Sequence, residues 1–320
     1  MAVFFVLVLL FGCSRIQISG NVVKETIPSE ISKEMEVYFC PSDNCEGILI
    51  NVINSSTKSV HCAFFDVDLK EITRLLGQKS HSADVKLVVD DENYGAIKGA
   101  GVRKDNSLQY SHNKFCVIDN EIVTTGSMNP TDNDAYKNNN NLLVIYSKYL
   151  AENYEDEFKE LWNGDFGKGE KVKYPIVYLN NHEVENYFCP EDLCSEKIIK
   201  EINKAEKGVY FMAFSFTNEK IADSILFNDN IDIKGVFDVK DTGSKYSQYN
   251  RLKDFGLDVR LDKNKYTMHH KVFIIDNRTV ITGSMNPTGS GDYKNDENIL
   301  IIHDKEIAKK YVEEFFRLFV

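Results

Sequence analysis

The run His112-Asn-Lys114-Phe-Cys-Val-Ile-Asp119, followed after six residues by Gly126-Ser127-Met-Asn129, decides how this chain is read. It returns as His269-His-Lys271-Val-Phe-Ile-Ile-Asp276 and, again six residues on, Gly283-Ser284-Met-Asn286. His and Lys two apart on a β-strand project from one face. Asp-Asn then offers a tight turn, and residues 122–125 or 279–282 return antiparallel. The Gly-Ser-x-Asn ending the return strand therefore comes alongside the His and Lys. Gly allows close backbone approach, Ser and Asn bring neutral donors and Lys brings charge, a combination suited to phosphate oxygens. His270 projects to the opposite strand face, which favours packing or a surface role over chemistry.

Outward from these segments, the whole chain is written twice. Tyr38-Phe39-Cys40-Pro41 recurs as Tyr187-Phe188-Cys189-Pro190, an offset of 149, and residues 84–90 recur as 232–238 at 148. The stretch 112–131 recurs at an offset of 157, and so do Tyr154, Glu157, Phe158 and Leu161, as Tyr311, Glu314, Phe315 and Leu318. The increase of nine places a longer loop before the second motif. Each half reads as a strand, a helix (46–53; 195–204), a strand (60–65; 209–216) and a helix (69–76; 218–227). A strand (85–89; 233–237), a hairpin, a further strand (142–146; 299–302) and a closing helix follow. This alternation implies an α/β fold of two duplicated, mixed-sheet layered domains with outer helices, packed as a pseudo-dimer. The expected organisation is a signal or anchor segment and linker over 1–35 and a first domain over 36–163. A connector over 164–176 and a second domain over 177–320 complete it, as a monomer with internal pseudo-twofold symmetry.

Composition agrees with such a chain. Its 320 residues are 42% hydrophobic with only six prolines, which excludes a disordered or fibrous protein. The formal charge of −11 argues against coating nucleic acid or anionic membrane through bulk electrostatics, and leaves room for local basic sites. Residues 2–11 form an apolar run, too short for the roughly 20 residues of a spanning helix and suited to a signal-peptide core. Leu10-Phe11-Gly12-Cys13 resembles a lipoprotein processing box in which Cys13 is lipidated, although no Lys or Arg precedes the run. An uncleaved hydrophobic tail or a different start codon is the alternative. The expectation is export, with anchoring on the extracytoplasmic side of a membrane.

Two cysteine pairs support export. Cys40 and Cys45, like Cys189 and Cys194, are separated by four residues, a spacing that admits a disulfide at a strand-to-helix turn. A four-Cys metal site is the alternative, disfavoured because the spacing exceeds that of a zinc knuckle and no His accompanies either pair closely; free thiols are the third possibility. Cys62 and Cys116 lie in apolar, strand-like runs and read as buried inert thiols.

The doubled motif resembles the signature of the phospholipase D superfamily, HxK(x)4D(x)6GSxN, and is closest in character to its nuclease-like branch. Both copies fit without a gap, and the flanking elements extend the resemblance over about residues 36–320. The resemblance implies a phosphodiesterase without metal or other cofactor, whose two motifs meet at one site across the pseudo-twofold axis. One imidazole attacks phosphorus to form a phosphohistidine, and the other protonates the leaving oxygen and then activates water. Lys114, Lys271, Asn129 and Asn286, supported by Ser127 and Ser284, would hold the non-bridging oxygens. Asp119 and Asp276 belong to the motif's catalytic set, but their place at the strand end favours a hydrogen-bonding role. A Glu downstream of the motif often orients the catalytic His in this family. Counting 28 residues on gives Glu297 from His269 but Asn140 from His112. The expected roles are His112 as nucleophile and His269 as acid.

Nucleases, cardiolipin synthases and phospholipases share this signature. The compact halves, the lack of long lipid-gating insertions and Gly-Ser-Met-Asn-Pro-Thr favour a nuclease. Charge does not, since residues 263–298 hold five Lys/Arg against four Asp/Glu and residues 110–142 hold two against four. Affinity for nucleic acid should then be modest and salt-sensitive. Tyr110, Tyr136, Tyr266 and Tyr293 would stack on bases, line a lipid pocket or pack at the rim. The substrate expected is a phosphodiester, nucleic acid ahead of phospholipid. A catalytically idle phosphate-ester or DNA binding module is the reading from a different class.

Overall fold

Every residue of Lys114–Ile118 is buried, and so is every residue of Lys271–Ile275, because each strand carries a packed layer on both faces. Phe115 and Val117 point into one core while Cys116 and Ile118 point into another. Val272 and Ile274 join the first of these, and Phe273 and Ile275 a third. The period-two side-chain alternation thus separates a core shared by the two halves from one private to each.

The computed structural model describes residues 27–90, 101–105, 108–228 and 230–320; the apolar run 2–11 and Cys13 lie outside them. The first strand, β1 (Ser29–Glu30), precedes the first domain. That domain comprises β2 (Glu36–Cys40), α1 (Cys45–Asn54), β3 (Ser59–Phe64), α2 (Lys70–Lys79), β4 (Asp84–Val89) and β5 (Gly101–Lys104). It continues with β6 (Lys114–Ile118), β7 (Ile122–Gly126), α3 (Asp132–Tyr136), β8 (Asn140–Tyr146) and α4 (Lys148–Asn163). After β9 (Ile176–Leu179) the second domain repeats the series as β10 (His182–Cys189), α5 (Cys194–Ile202), β11 (Gly208–Ala213), α6 (Glu219–Leu226) and β12 (Asp232–Phe237). Then come α7 (Gln248–Asp254), β13 (Asp258–Leu261), β14 (Lys271–Ile275), β15 (Thr279–Gly283), α8 (Gly289–Tyr293), β16 (Glu297–Ile302) and α9 (Lys305–Leu318).

The first sheet runs β2-β8-β7-β6-β3-β4-β5, and the second runs β10-β16-β15-β14-β11-β12-β13 with β9 and β1 added beyond β10. In both, the last three strands are mutually parallel and the pairings from β2 to β3 and from β10 to β11 are antiparallel, with β9 antiparallel to β10 and β1 parallel to β9, so the expected mixed sheet occurs twice. The closing helices fill the space between the halves. Leu150, Tyr154, Phe158 and Leu161 line the inner face of α4, and Ile307, Tyr311, Phe315 and Leu318 that of α9, at spacings of three or four. Helix α4 lies on β3, β4, β6 and β7 of its own sheet and touches β10, while α9 lies on β11, β14 and β15 and touches β2. Among the described residues no helix is long and apolar enough to cross a membrane.

The hairpins at the motifs are set by backbone chemistry. Asp119 and Asn120 have φ of 53° and 57°, and Asp276 and Asn277 have 55° and 53°, the left-handed pair at the centre of a turn closed by the Glu121 and Arg278 amides on the Ile118 and Ile275 carbonyls. The Asp119 carboxylate accepts the amides of Thr57, Lys58 and Ser59 and the Thr57 hydroxyl at 2.7–2.8 Å. Asp276 accepts those of Glu206, Lys207 and Gly208. At the other end of each return strand, Gly126 and Gly283 have φ of 134° and 150°, and a Cβ there would collide with the carbonyl of Asn141 or Asn298.

Several expectations change. Cys62 and Cys116 form a disulfide rather than two inert thiols, because the antiparallel pairing of β3 with β6 sets them directly opposite, with Cα atoms 4.0 Å apart. The expected bridges Cys40–Cys45 and Cys189–Cys194 are present, each across a strand-to-helix turn beside a cis Cys-Pro bond. The longer segment before the second motif contains the helix α7 and is not simply a loop. Residues 29–30, assigned to a linker, instead form β1, which pairs in parallel with β9 of the second domain.

Two outcomes follow. Unfolded, unreduced protein should show no free thiol from any of these six cysteines, and a reactive Cys62 or Cys116 would disprove the cross-strand bridge. Asp119→Asn should destabilise the fold by about 1–2 kcal/mol, the range for charge-assisted hydrogen bonds around a partly solvated carboxylate. Burial pushes Asp119 up, but the Ser59, Lys58 and Thr57 donors outweigh it and hold the group below its ordinary value. That stability is present above the unfolded carboxylate's pKa, about 4, and is lost as pH falls through the lower folded value. Urea unfolding of both proteins at pH 7 and at pH 2.5 should therefore show a larger difference at the higher pH.

Candidate active site

The motif histidines sit just ahead of their strands, since regular pairing begins at Lys114 in β6 and at Lys271 in β14. The chain leaves its own sheet there to bond with the other domain. The His112 amide donates to the Asp296 carbonyl at 2.9 Å and the Asp296 amide to the Tyr110 carbonyl at 3.0 Å. The His269 amide likewise donates to the Asn139 carbonyl at 2.8 Å and the Asn139 amide to the Thr267 carbonyl at 2.9 Å. Two short parallel bridges, Ser111 with Asp296 and Asn139 with Met268, thus splice the domains beside both imidazoles.

Each imidazole finds its partner across that junction. His112 Nδ1 lies 2.9 and 2.8 Å from the two Glu297 oxygens, and His269 Nδ1 lies 2.9 Å from Asn140 Oδ1. Counting along the chain had attached Glu297 to His269. The structure gives it to His112, because the end of β16 faces the other domain's motif. Ser284 Oγ donates to Glu297 at 2.7 Å and Ser127 Oγ to Asn140 at 3.2 Å, so both motif serines stand behind the histidines' partners. Lys114 Nζ and Lys271 Nζ fold back on the carbonyls of His112 and His269 at 2.5 and 2.8 Å. The buried Oδ1 atoms of Asn129 and Asn286 have no partner among the described residues, while the Asn129 Nδ2 donates to the Asp134 carboxylate at 2.8 Å.

Asp119 and Asp276 do not join this group. They sit at the far ends of β6 and β14, about 16 Å from the lysines at a strand rise of about 3.3 Å per residue. His270 is fully buried, bonded to Asn141 and Glu314 at 3.2 Å each. Its twin Asn113 bonds Asn298 and Glu157, and Thr125 and Thr282 cross to Asn298 and Asn141. These residues form a polar seam behind the histidines, satisfied from both halves.

Pattern reading missed three residues at the site. Phe65 and Phe214 present ring edges to His112 and His269, centroids 4.9 and 5.0 Å apart, with Lys114 and Lys271 ammonium groups 5.2 and 5.1 Å from the same rings. Their recurrence after matched strands was visible, but not their direction. Asp134, buried on α3, lies 3.6 Å from His269 Nδ1 and accepts from the Asn129 backbone and side chain at 2.8 Å each. Tyr110, Tyr136 and Tyr293 are about half exposed and Tyr266 somewhat less.

Electrostatics follow from burying two ammonium groups among carboxylates. Burial, then the Lys114 and Lys271 charges, hold His112 well below the ordinary imidazole value. Burial and Lys271 do the same to His269, with Asp134 opposing. Burial pushes Glu297 up to about 8 and Lys114 down to about 8. Burial and the neighbouring Lys114 charge also hold Lys271 well below its ordinary value. His112 and Glu297 are both driven toward uncharged forms, so the pair keeps one proton on the axis between them until the pH approaches that range. Lys271 acting on His112, and Lys114 and His112 acting on His269, mark a single electrostatic site.

The chain matches a family model described as "Cardiolipin synthase, PLD-like domain" twice, over residues 49–162 and 198–319. It is 32% identical to a phospholipase D of Rickettsia prowazekii over 148 residues, 45% of this chain and 71% of that protein. It is 30% identical to a mitochondrial cardiolipin hydrolase of Xenopus tropicalis over 154 residues, 47% of this chain and 70% of that protein. Among solved structures, a phosphatidylserine synthase of Haemophilus influenzae matches with a TM-score of 0.68 at 14% identity, over 88% of this chain and 85% of that one, a likeness of fold. With two matched copies and one two-sided site between them, the chain belongs to the phospholipase D superfamily of phosphodiesterases.

Proposed function

We propose that the protein hydrolyses a phosphodiester through a phosphohistidine on His112, without metal assistance. The carrying observation is that His112 holds the buried carboxylate of Glu297 on Nδ1, whereas His269 holds a neutral amide. Glu297 fixes the His112 tautomer whose free Nε2 attacks phosphorus. His269 gives its proton to the leaving oxygen as the P–O bond breaks. It then takes a proton from water, whose oxygen attacks phosphorus and breaks the P–N bond, returning both imidazoles to their starting states. Lys114, Lys271 and the amides of Asn129 and Asn286 meet the charge on the non-bridging oxygens.

The finer reading is a nuclease acting on single strands. Four tyrosines flank the motifs with substantial ring exposure, and bases stack on such faces with little sequence preference. The names of the relatives, phospholipase D and cardiolipin hydrolase, favour phospholipid as the second reading. Three disulfides support export, and Cys13 would supply an anchor.

In EDTA the protein should hydrolyse bis(p-nitrophenyl) phosphate, and His112→Ala or His269→Ala should lower kcat/KM by about 10³-fold or more. Chelator-sensitive turnover that survives in both variants would sink the mechanism. For the parent protein, kcat/KM should change little as pH rises toward 8, because the rise that frees His112 Nε2 from the His112–Glu297 proton also strips the acid proton from His269. It should then fall as Lys114, lowered to about 8, loses its charge. Single-stranded DNA, duplex DNA, RNA and phospholipid vesicles offered side by side decide the substrate class.

A further inference from the structure

At the far end of β16 from Glu297 lies a second convergent cluster. Glu183 and Glu185, two apart on β10, share a face. The antiparallel pairing of Val184 with Ile302 brings His303, the next residue, beside them. His303 Nε2 is 3.2 Å from Glu185 Oε1 and 3.8 Å from Glu183 Oε1, and the three atoms all lie within 4.8 Å of one another. The remaining polar atom of each side chain is held from outside. Tyr178 donates to Glu183 Oε2 at 2.9 Å, Tyr187 to Glu185 Oε2 at 2.6 Å, and Thr279 Oγ1 bonds His303 Nδ1 at 2.9 Å. One ligand atom per residue therefore faces a common centre, where His303 Nε2 and Glu185 Oε1 now bond each other and an ion would take the place of that bond, and the outer hydrogen bonds are those that orient metal ligands.

The duplicated fold supplies an independent indication of what belongs there. In the first domain Glu36 is the twin of Glu185, and its Oε2 likewise accepts from Tyr38, the twin of Tyr187, at 2.8 Å. Its Oε1 carries a cation, the Lys33 ammonium at 2.5 Å, which also donates at 2.8 Å to Tyr146, the residue at His303's twin position. In the second domain two carboxylates and an imidazole surround the equivalent point. We propose that Glu183, Glu185 and His303 bind one divalent metal ion, with Zn²⁺ the best match to a carboxylate and imidazole set and water completing the coordination. His303 is six residues beyond Glu297 on an extended chain, about 20 Å away, so the site is structural and pins the β9–β10 hairpin to β16.

Tag-free full-length protein, stripped with chelator and titrated calorimetrically with ZnCl₂, should bind one ion per chain and melt a few degrees higher. Glu185→Gln and His303→Ala should lose the binding and keep bis(p-nitrophenyl) phosphate turnover. Should either fail to fold, Glu183→Gln, on a partly exposed carboxylate, gives the same readout. No binding by the parent protein at 100 μM Zn²⁺, or binding unchanged in the folded variants, overturns the site.

A different observation carries a second inference, which rests on the mechanism proposed above. The halves place their carboxylates in opposite slots: Asn140 and Asp134 in the first correspond to Glu297 and Gly291 in the second. Each imidazole thus meets one carboxylate from the other domain, at 2.8 Å for Glu297 on His112 and at 3.6 Å for Asp134 on His269. The geometry points to Asp134 as a positioning residue whose nearby negative charge favours the protonated imidazole of His269, in place of the carboxylate missing at position 140. The other groups facing His269 are Lys271, Lys114 and His112, all of which oppose its protonation, and the neutral Asn140.

Side-chain NMR titration tests this without reference to turnover. Asp134→Asn should lower the His269 titration midpoint, and adding Asn140→Glu should restore it. Kinetically, Asp134→Asn should slow a dinucleoside phosphate, with its poor leaving group, at least tenfold more than an aryl ester. An unmoved His269 midpoint in folded Asp134→Asn overturns the inference. A moved midpoint with both substrates slowed equally upholds the charge effect of Asp134 and instead removes His269 as the acid.

Discussion

The structure depends on an exchange of backbone between its halves. Each motif histidine is held by an amide bonded to a carbonyl of the other domain, and each carbonyl belongs to the residue preceding that histidine's side-chain partner. Moving the domains apart would unpair buried main-chain groups at both sites together, at a cost of roughly 1–3 kcal/mol for each group left unsatisfied. The polar seam of Asn113, Asn141, His270 and Asn298 adds the same penalty for sliding. The alignment of the two imidazoles is thus a by-product of domain docking, and no loop has to close to create it.

Docking also explains the charge state of the site. The seam excludes water on one side and the phenyl rings of Phe65 and Phe214 cover the lysines on another, so two ammonium groups are buried close together. They cannot both stay fully charged without counter-ions, and Glu297 and Asp134 supply two carboxylates. A bound phosphodiester would add the negative charge the lysines lack. In physical terms the free site is a cationic cradle left partly discharged by burial, ready to recover its charge as substrate enters.

The twofold repeat is kept where packing demands it and broken where chemistry gains from difference. Strand order, closing helices, hairpin turns and the two motif glycines match closely between halves. The histidine partners do not, and the Lys33 site against Glu36 has become an acidic and imidazole cluster in the second domain. A single chain allows this, because each half can change without its twin following. Identical subunits could not give the two imidazoles different partners.

Much of this was legible in the sequence. The motif spacing, the matched offsets and the Asp-Asn turns announced two α/β domains and a phosphate-suited pair of hairpins, because strand alternation and turn chemistry are local properties. The pairs Cys40–Cys45 and Cys189–Cys194 were legible for the same reason, since five residues fix their separation. Contacts between distant segments were not. The Cys62–Cys116 bridge needed the register of β3 against β6, and β1 needed an edge on the other domain. Glu297 was found by counting but assigned to the wrong imidazole, and Asp134 was not found at all. Sequence determined which residues make up the doubled motif and its hairpins; which imidazole meets which carboxylate was decided by tertiary structure, because that choice depends on how two sheets dock and no local spacing encodes it.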